Sequence, residues 1–432
     1  MSPSTNPLAG FAKFENNSWN GNSRKARMSH MTSKIKILFV DDEPHLLQSL
    51  KRMLHSARHE WDCQFASGAQ EALDMMARQP VDLIVSDMRM PGMDGATLLT
   101  RVRKEHPKTI RFILSGQAED NSFLRAMGSM HQFLSKPCSY ETLKDAVNRA
   151  FSLRYRLNDP NWEKLLLEIK TIPSLPEVYY QLMEVVQSSD SSLEDIAAII
   201  SQDAGMAAKI LQVANSAFFG FSHQIYSIEQ AVSILGMDMI HALVLSHEIF
   251  SRLSDSKGGL VIKHLWEHNL IVTGVALALA EYEKKGKEFV NYTFTSGLLH
   301  DIGQCLLAGA LPEKFRKMKD IEEASRISQW EVETRVFGAD HQQIGAYLLN
   351  LWGLPDPIVE AVAFHHNPSA SLQTWISPLT MIHVANVLDR ERGERDTGIR
   401  APALDENYLK RVGVFDRFPA WRKVGLQKME GQ

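Results

Sequence analysis

Val81-Asp82-Leu83-Ile84-Val85-Ser86-Asp87-Met88-Arg89-Met90-Pro91-Gly92-Met93-Asp94-Gly95 decides the fold of the first half of this chain. The apolar run 83–86 leads straight into an aspartate, and Pro91-Gly92 and Asp94-Gly95 then turn the backbone. A strand that is apolar throughout fits a parallel sheet covered on both faces. Similar short runs lie at 35–40, 63–66, 110–114 and 132–134, separated by amphipathic stretches such as 46–56, 69–77, 96–105 and 140–153. The alternation predicts an α/β domain over 34–154.

In an open parallel sheet, polar side chains just past the carboxyl ends of the strands meet in one crevice. Asp41 and Asp42 follow one apolar run and Asp87 another; Ser115 follows a third, and Lys136 stands after Phe133-Leu134-Ser135 and before Pro137. Carboxylates gathered this closely repel unless a hard cation joins them, and Mg²⁺ accepts a few carboxylates, a backbone carbonyl and waters. Asp87 would then attack a phosphodonor, Lys136 would add positive charge, and the Ser115 hydroxyl would report the new phosphoryl group. A single aspartate at a strand end is ordinarily a helix N-cap. Capping, however, accounts for neither the serine nor the Lys-Pro pair.

This constellation resembles the response-regulator receiver family over roughly 34–154. The resemblance implies a flavodoxin-like (βα)5 fold with Asp87 as phosphoacceptor. Mg²⁺ would be held by Asp41, Asp42, Asp87 and the Arg89 carbonyl. Ser115 and Lys136 become phosphoryl contacts, Phe133 the switch aromatic, and Lys136-Pro137 a peptide that can be cis. The implied partner is a sensor histidine kinase or phosphotransfer protein, and a homodimer is a further expectation.

Asn158-Asp159-Pro160 breaks the chain, so 155–164 reads as a linker. From 165 to 392 strand signals give way to long helical periodicity, which predicts an all-α domain. Most of the sixteen histidines fall in this second half. His268, His300, Asp301, His341, His365 and His366 are the set expected to share a buried site, the kind of imidazole and carboxylate cluster that Fe, Mn or Zn ions take in helical bundles. Asp301 is placed to bridge two such ions. His247, His264 and His383 read as ordinary hydrogen-bonded histidines.

Here the sequence resembles the HDOD family, regulatory relatives of the HD-superfamily phosphohydrolases. The likeness runs through Ile172-Pro173-Ser174-Leu175-Pro176, Ile199-Ile200-Ser201-Gln202-Asp203, Lys209-Ile210-Leu211-Gln212-Val213-Ala214-Asn215-Ser216 and Ile228-Glu229-Gln230-Ala231-Val232-Ser233-Ile234-Leu235-Gly236. Trp266-Glu267-His268, Leu299-His300-Asp301-Ile302-Gly303 and His365-His366 complete it. Gln304 replaces a phosphate-contacting lysine of the cyclic-dinucleotide phosphodiesterases, and their Gly-Tyr-Pro stretch is absent. Asn386 occupies the place of the superfamily's last metal-binding aspartate, and a neutral amide is a weaker ligand. The resemblance therefore implies an output that works by binding an unidentified protein partner; metal-dependent phosphohydrolysis is the alternative.

A net charge of −4 gives no global attraction to nucleic acid or anionic membrane. Three dispersed cysteines form neither a disulfide framework nor a zinc ribbon, and no apolar run is long enough to span a bilayer. A cytoplasmic protein is the expectation. Residues 1–33 read as a disordered tail, with Met28 and Met31 as alternative starts, and 393–432 as a C-terminal tail whose Phe415, Phe418 and Trp421 dock on the body or on a partner.

Overall fold

The computed structural model describes residues 34–115, 129–156, 176–187, 192–216, 224–254, 259–324, 327–397 and 403–430, with isolated positions between 165 and 173. Residues 1–33, and the linker apart from 155 and 156, lie outside these ranges. Strands β1 (Ile35–Val40), β2 (Trp61–Ala66), β3 (Leu83–Asp87), β4 (Ile110–Ser115) and β5 (Gln132–Ser135) form one parallel sheet in the order β2-β1-β3-β4-β5. Helices α1 (Pro44–Met53), α2 (Ala69–Arg78), α3 (Gly95–Glu105) and α4 (Tyr140–Arg156) accompany it. The apolar runs are buried as their composition requires: Ile37, Leu38, Leu83, Ile84, Phe112 and Ile113 have no solvent exposure. β1 has β2 on one side and β3 on the other, so the order reverses there. Val40 pairs with Ser86, which sets Asp41 abreast of Asp87.

The rest is helical, as expected. Helices α5 to α9 (Glu177–Gln187, Leu193–Ser201, Ala204–Ala214, Ile228–Leu235, Met237–Ser254) precede the elements that build the histidine cluster. Those are α10 (Gly259–Tyr282), α11 (Lys287–Leu299), α12 (Ile302–Ala310), α14 (Gln329–Phe337), α15 (His341–Leu351), α16 (Asp356–Phe364) and α17 (Pro378–Thr397), with α13 (Pro312–Ala324) lying between α12 and α14 in sequence. Local chemistry starts several of them. Ser192 with Asp195, Ser328 with Glu331 and Asp340 with Gln343 form reciprocal capping boxes. α12 and α15 approach at Gly303 and Gly345. A Cβ on Gly303 would stand 2.0 Å from the His341 carbonyl oxygen, so only glycine allows the approach.

The C-terminal segment docks on the body, one of the two expected placements, and it does so as helices. α18 (Glu406–Arg411) and α19 (Phe418–Glu430) pack onto the body, and Tyr408 and Trp421 are fully buried. Trp421 Nε1 donates to Glu283 at 2.9 Å. Their aromatic and apolar side chains join α10 and α17 in a second core. The buried stripe of α19 is Trp421, Gly425 and Met429, one residue per turn, which is narrower than the stripe that signals an amphipathic helix. Among the described residues no single helix is long and apolar enough to cross a membrane.

Candidate phosphoryl-acceptor and metal sites

At the carboxyl edge of the sheet, Lys136 Nζ lies 2.5 Å from Asp87 Oδ1 and 2.8 Å from Asp41 Oδ2. The backbone holds both carboxylates: Glu43 N donates to Asp41 Oδ1 at 2.9 Å, and Arg89 N donates to Asp87 Oδ2 at 2.7 Å. Burial works against the Lys136 charge, but its hydrogen bonds to Asp41 and Asp87 outweigh that and hold it above its ordinary value. Asp42 follows on the same loop, half-buried. Ser115 ends β4 and Phe133 lies in β5, while their side chains fall outside the described residues. The Lys136-Pro137 peptide is cis.

The donors of the second site come from four helix ends and one helix interior. His300 and Asp301 sit at the α11–α12 junction, His341 is the first residue of α15, and His365 and His366 follow α16. His268 comes from α10, half-buried, while His300, His341 and His365 have no exposure and Asp301 has 1%. Each of four imidazoles gives its Nδ1 to an acceptor. His300 donates to Gly297 O at 2.8 Å and His365 to Val362 O at 2.9 Å; His341 donates to Glu333 at 2.5 Å and His268 to Asp389 at 2.7 Å. Carbonyl and carboxylate oxygens only accept, so the ring proton sits on Nδ1 and every Nε2 lone pair turns inward.

Those lone pairs converge. His268 and His300 Nε2 are 3.2 Å apart, as are His341 and His365 Nε2. The first pair faces Asp301 Oδ2 at 3.7 and 3.6 Å, and the second faces Oδ1 at 3.3 and 3.6 Å. Neither Asp301 oxygen has a hydrogen-bond partner despite its burial, nor does His366 Nε2. Facing lone pairs and an orphaned buried carboxylate are costly unless positive charge lies between them. Metal–ligand bonds of about 2.1 Å put neighbouring donors roughly 3.0–3.5 Å apart, which matches this spacing. The donors form two groups sharing Asp301: one with His341, His365 and His366, the other with His268 and His300.

Electrostatics agree with the tautomers of His300 and His365. Burial pushes His300 down to about 3, and burial also lowers His365 and His366, so all three stay neutral near pH 7. Burial opposes charge on His341 too, but Glu333 and then Asp301 outweigh it and raise that residue. The site therefore attracts positive charge at His341 Nε2, a demand that a cation meets as well as a proton does.

Glu333 and Asp389 are site residues that sequence reading missed. Both hold the far side of a histidine, the arrangement that fixes metal-binding imidazoles. Glu333 carries no sequence signal, since an acidic residue on an amphipathic helix ordinarily faces water; here it has no exposure. Asp389 did carry one. It lies three residues after Asn386 on α17, on the same face, and supplies a carboxylate where Asn386 cannot. Asn386 is buried with Oδ1 unpartnered. The residues read as ordinary histidines stay apart from the donor set: His264 is exposed, His247 lies 3.8 Å from Asp203, and His383 donates to His365 O at 2.8 Å.

Comparison with known proteins divides the chain the same way. The family described as response regulator receiver domain matches residues 37–148, and the HDOD domain family matches 172–368. An uncharacterised protein of Treponema pallidum is 28% identical over 225 residues, 51% of this chain and 43% of its own length. Response regulator protein PilR of Pseudomonas aeruginosa is 32% identical over 123 residues, 28% of this chain and 27% of its own length. The chain thus spans less than half the length of these two relatives. Among solved structures, an HDOD domain protein of unknown function from Geobacter sulfurreducens is 21% identical with a TM-score of 0.47. It covers 67% of this chain and 94% of its own.

Proposed function

The chain joins a response-regulator receiver domain to an HDOD domain, and from that premise we propose that it accepts a phosphoryl group on Asp87 and signals through a cation-binding helical domain. Receiver domains take phosphoryl groups from histidine kinases or phosphotransfer proteins and use Mg²⁺. Asp41, Asp42, Asp87 and the Arg89 carbonyl would hold that ion, which supplies charge neutralisation at the transferred group. Lys136 keeps the Asp41 and Asp87 carboxylates compatible and remains beside Asp87 as counter-charge to the phosphoryl oxygens. Ser115 and Phe133 would pass the change into β4 and β5.

For the helical half, the observation that carries the reading is the inward convergence of four Nε2 lone pairs on the unpartnered Asp301. His268, His300, Asp301, His341, His365 and His366 would hold Fe, Mn or Zn ions, with Asn386 nearby on α17; bound there, such an ion supplies Lewis acidity. Glu333 and Asp389 keep the imidazoles aimed. Gln304 and Asn386, which stand in the places of a phosphate-contacting lysine and a metal-binding aspartate, support a regulatory rather than a hydrolytic role. Output then runs through contact with a protein partner.

Incubation with acetyl phosphate and Mg²⁺ tests the first claim: wild type should gain an acid-stable, base-labile phosphate and Asp87→Asn should not. Labelling of the variant would refute the assignment. Elemental analysis of wild type and Asp301→Ala tests the second, with metal expected only in wild type. Metal-dependent turnover of bis(p-nitrophenyl) phosphate, lost in Asp301→Ala, would replace the binding role with phosphohydrolysis.

A further inference from the structure

The edge of the receiver sheet is covered by the helix that begins the metal site. β5 is the last strand in the order, yet His131 beside it has no exposure and Gln132 only 9%. An open strand edge is a liability that proteins cover. The cover here includes α15, against which α4 packs. Gly353, just past the end of α15 with φ +78°, meets β5 directly: a Cβ there would stand 3.1 Å from Gln132 Nε2. On β4, Arg111 is fully buried, held by Thr109 O at 2.8 Å and His131 Nε2 at 2.8 Å, and Tyr347 of α15 is buried as well.

Both ends of this contact lead to a site. Gln132 stands four residues before Lys136, whose ammonium touches Asp87, and Arg111 stands four before Ser115. In the other direction Tyr347 is six residues, about 9 Å along a helix, from His341. His341 Nε2 faces Asp301 at 3.3 Å. Strands and helices carry displacement as rigid bodies, and close-packed contacts leave them little slack. A shift of Lys136 as Asp87 gains its phosphoryl group would therefore move β5 against Gly353, and with it the pairing of His341 with Asp301.

We infer that the seam of β4, β5 and α4 with α15 couples the two centres, so that cation binding at the histidine cluster and phosphorylation of Asp87 bias one another. The cluster is then an input as well as an output: the cation it holds would tune how readily the receiver is phosphorylated. This rests on the proposed function, since both centres must fill.

The test uses the full-length chain stripped by chelator, with Mg²⁺ constant throughout and Mn²⁺ as the cluster probe. Mn²⁺ affinity is measured with and without beryllofluoride, a phosphoryl mimic whose uptake at Asp87 is followed by ¹⁹F NMR. Beryllofluoride affinity is then measured with and without Mn²⁺. Linkage requires the same factor in both directions, and a factor of about five or more is expected. Tyr347→Ala should bring it towards one while both ligands still bind. If both ligands bind wild type and neither changes the other's affinity, the coupling is overturned and the proposed function stands. If beryllofluoride or Mn²⁺ fails to bind at all, the proposed function fails at that centre and the coupling falls with it.

Discussion

At the scale of single residues, the histidine cluster depends on side chains that never touch its centre. Glu333 accepts from both the backbone N and the Nδ1 of His341, and is itself without exposure. Glu333→Gln keeps the shape but removes the charge that makes His341 a strong donor. Its expected effect is a roughly 10- to 100-fold loss of Mn²⁺ or Zn²⁺ affinity, read by competition with a chelating dye. Unchanged affinity would show that Glu333 only fills space. His383 makes a prediction in pH. Its Nδ1 donates to His365 O and its Nε2 accepts from Asp405 N at 3.0 Å, and burial pushes it down to about 4 from an ordinary 6.5. The unfolded chain therefore takes up this proton first as pH falls. Stability complete above about pH 6.5 is lost progressively towards pH 4, on the order of 3 kcal/mol for this residue. Urea midpoints at pH 7 and pH 5 should fall apart in wild type and draw closer in His383→Gln; parallel shifts in both would contradict the assignment.

Between elements, the cluster is assembled by how closely helices approach. Asp301 and His341 reach one another because α12 and α15 cross at glycines, where the Gly345 side of the crossing leaves a Cβ 2.9 Å from Ile302 Cγ2. Gly303→Ala should cost about 1–3 kcal/mol through overpacking and should also weaken cation binding, although every donor remains. Gly286→Ala is the control: nothing lies within 4 Å of its Cβ position. Equal melting temperatures for the two variants would mean that the crossing yields without cost. These elements also show what was legible in advance. A strand that ends in Asp87 announces its place, because strand ends in a parallel sheet share one edge whatever the loops do. Histidines could be collected as a set because their type is rare and their neighbours form motifs. The partner carboxylates could not, since Glu333 and Asp389 gain meaning only when burial removes water from them. Asp389 lies one helical turn beyond Asn386, outside the motif in which Asn386 stands, so no motif marked it.

For the whole molecule, the helical domain is larger than the stretch that carries its family likeness. The HDOD match ends at 368, but α17 supplies His383 and Asp389, and α18 and α19 close a second core around Val272, Val275, Leu388 and Trp421. Gly425 lets α19 approach α17 so closely that a Cβ there would meet Leu388 Cδ1 at 2.5 Å. Arg411 fastens the preceding loop by donating to the carbonyls of Pro368, Ser369, Ser371 and Gln373 at 3.0–3.1 Å. Cutting the chain after 368 would therefore expose the apolar face of α10 and deprive His268 of its carboxylate at once. Trp421→Ala probes the same core more gently. Removal of a buried tryptophan costs about 3–5 kcal/mol, and here it also strips Glu283 of a hydrogen bond. The expected results are a fragment ending at 368 that aggregates or binds no Mn²⁺, and a full-length Trp421→Ala protein that melts well below wild type while keeping its Asp87 labelling. The receiver's own core does not depend on α19, so loss of labelling together with the melting shift would mean that the two domains unfold as one. A fragment ending at 368 that folds and binds Mn²⁺ as tightly as the whole chain would show that the second core is dispensable to the site.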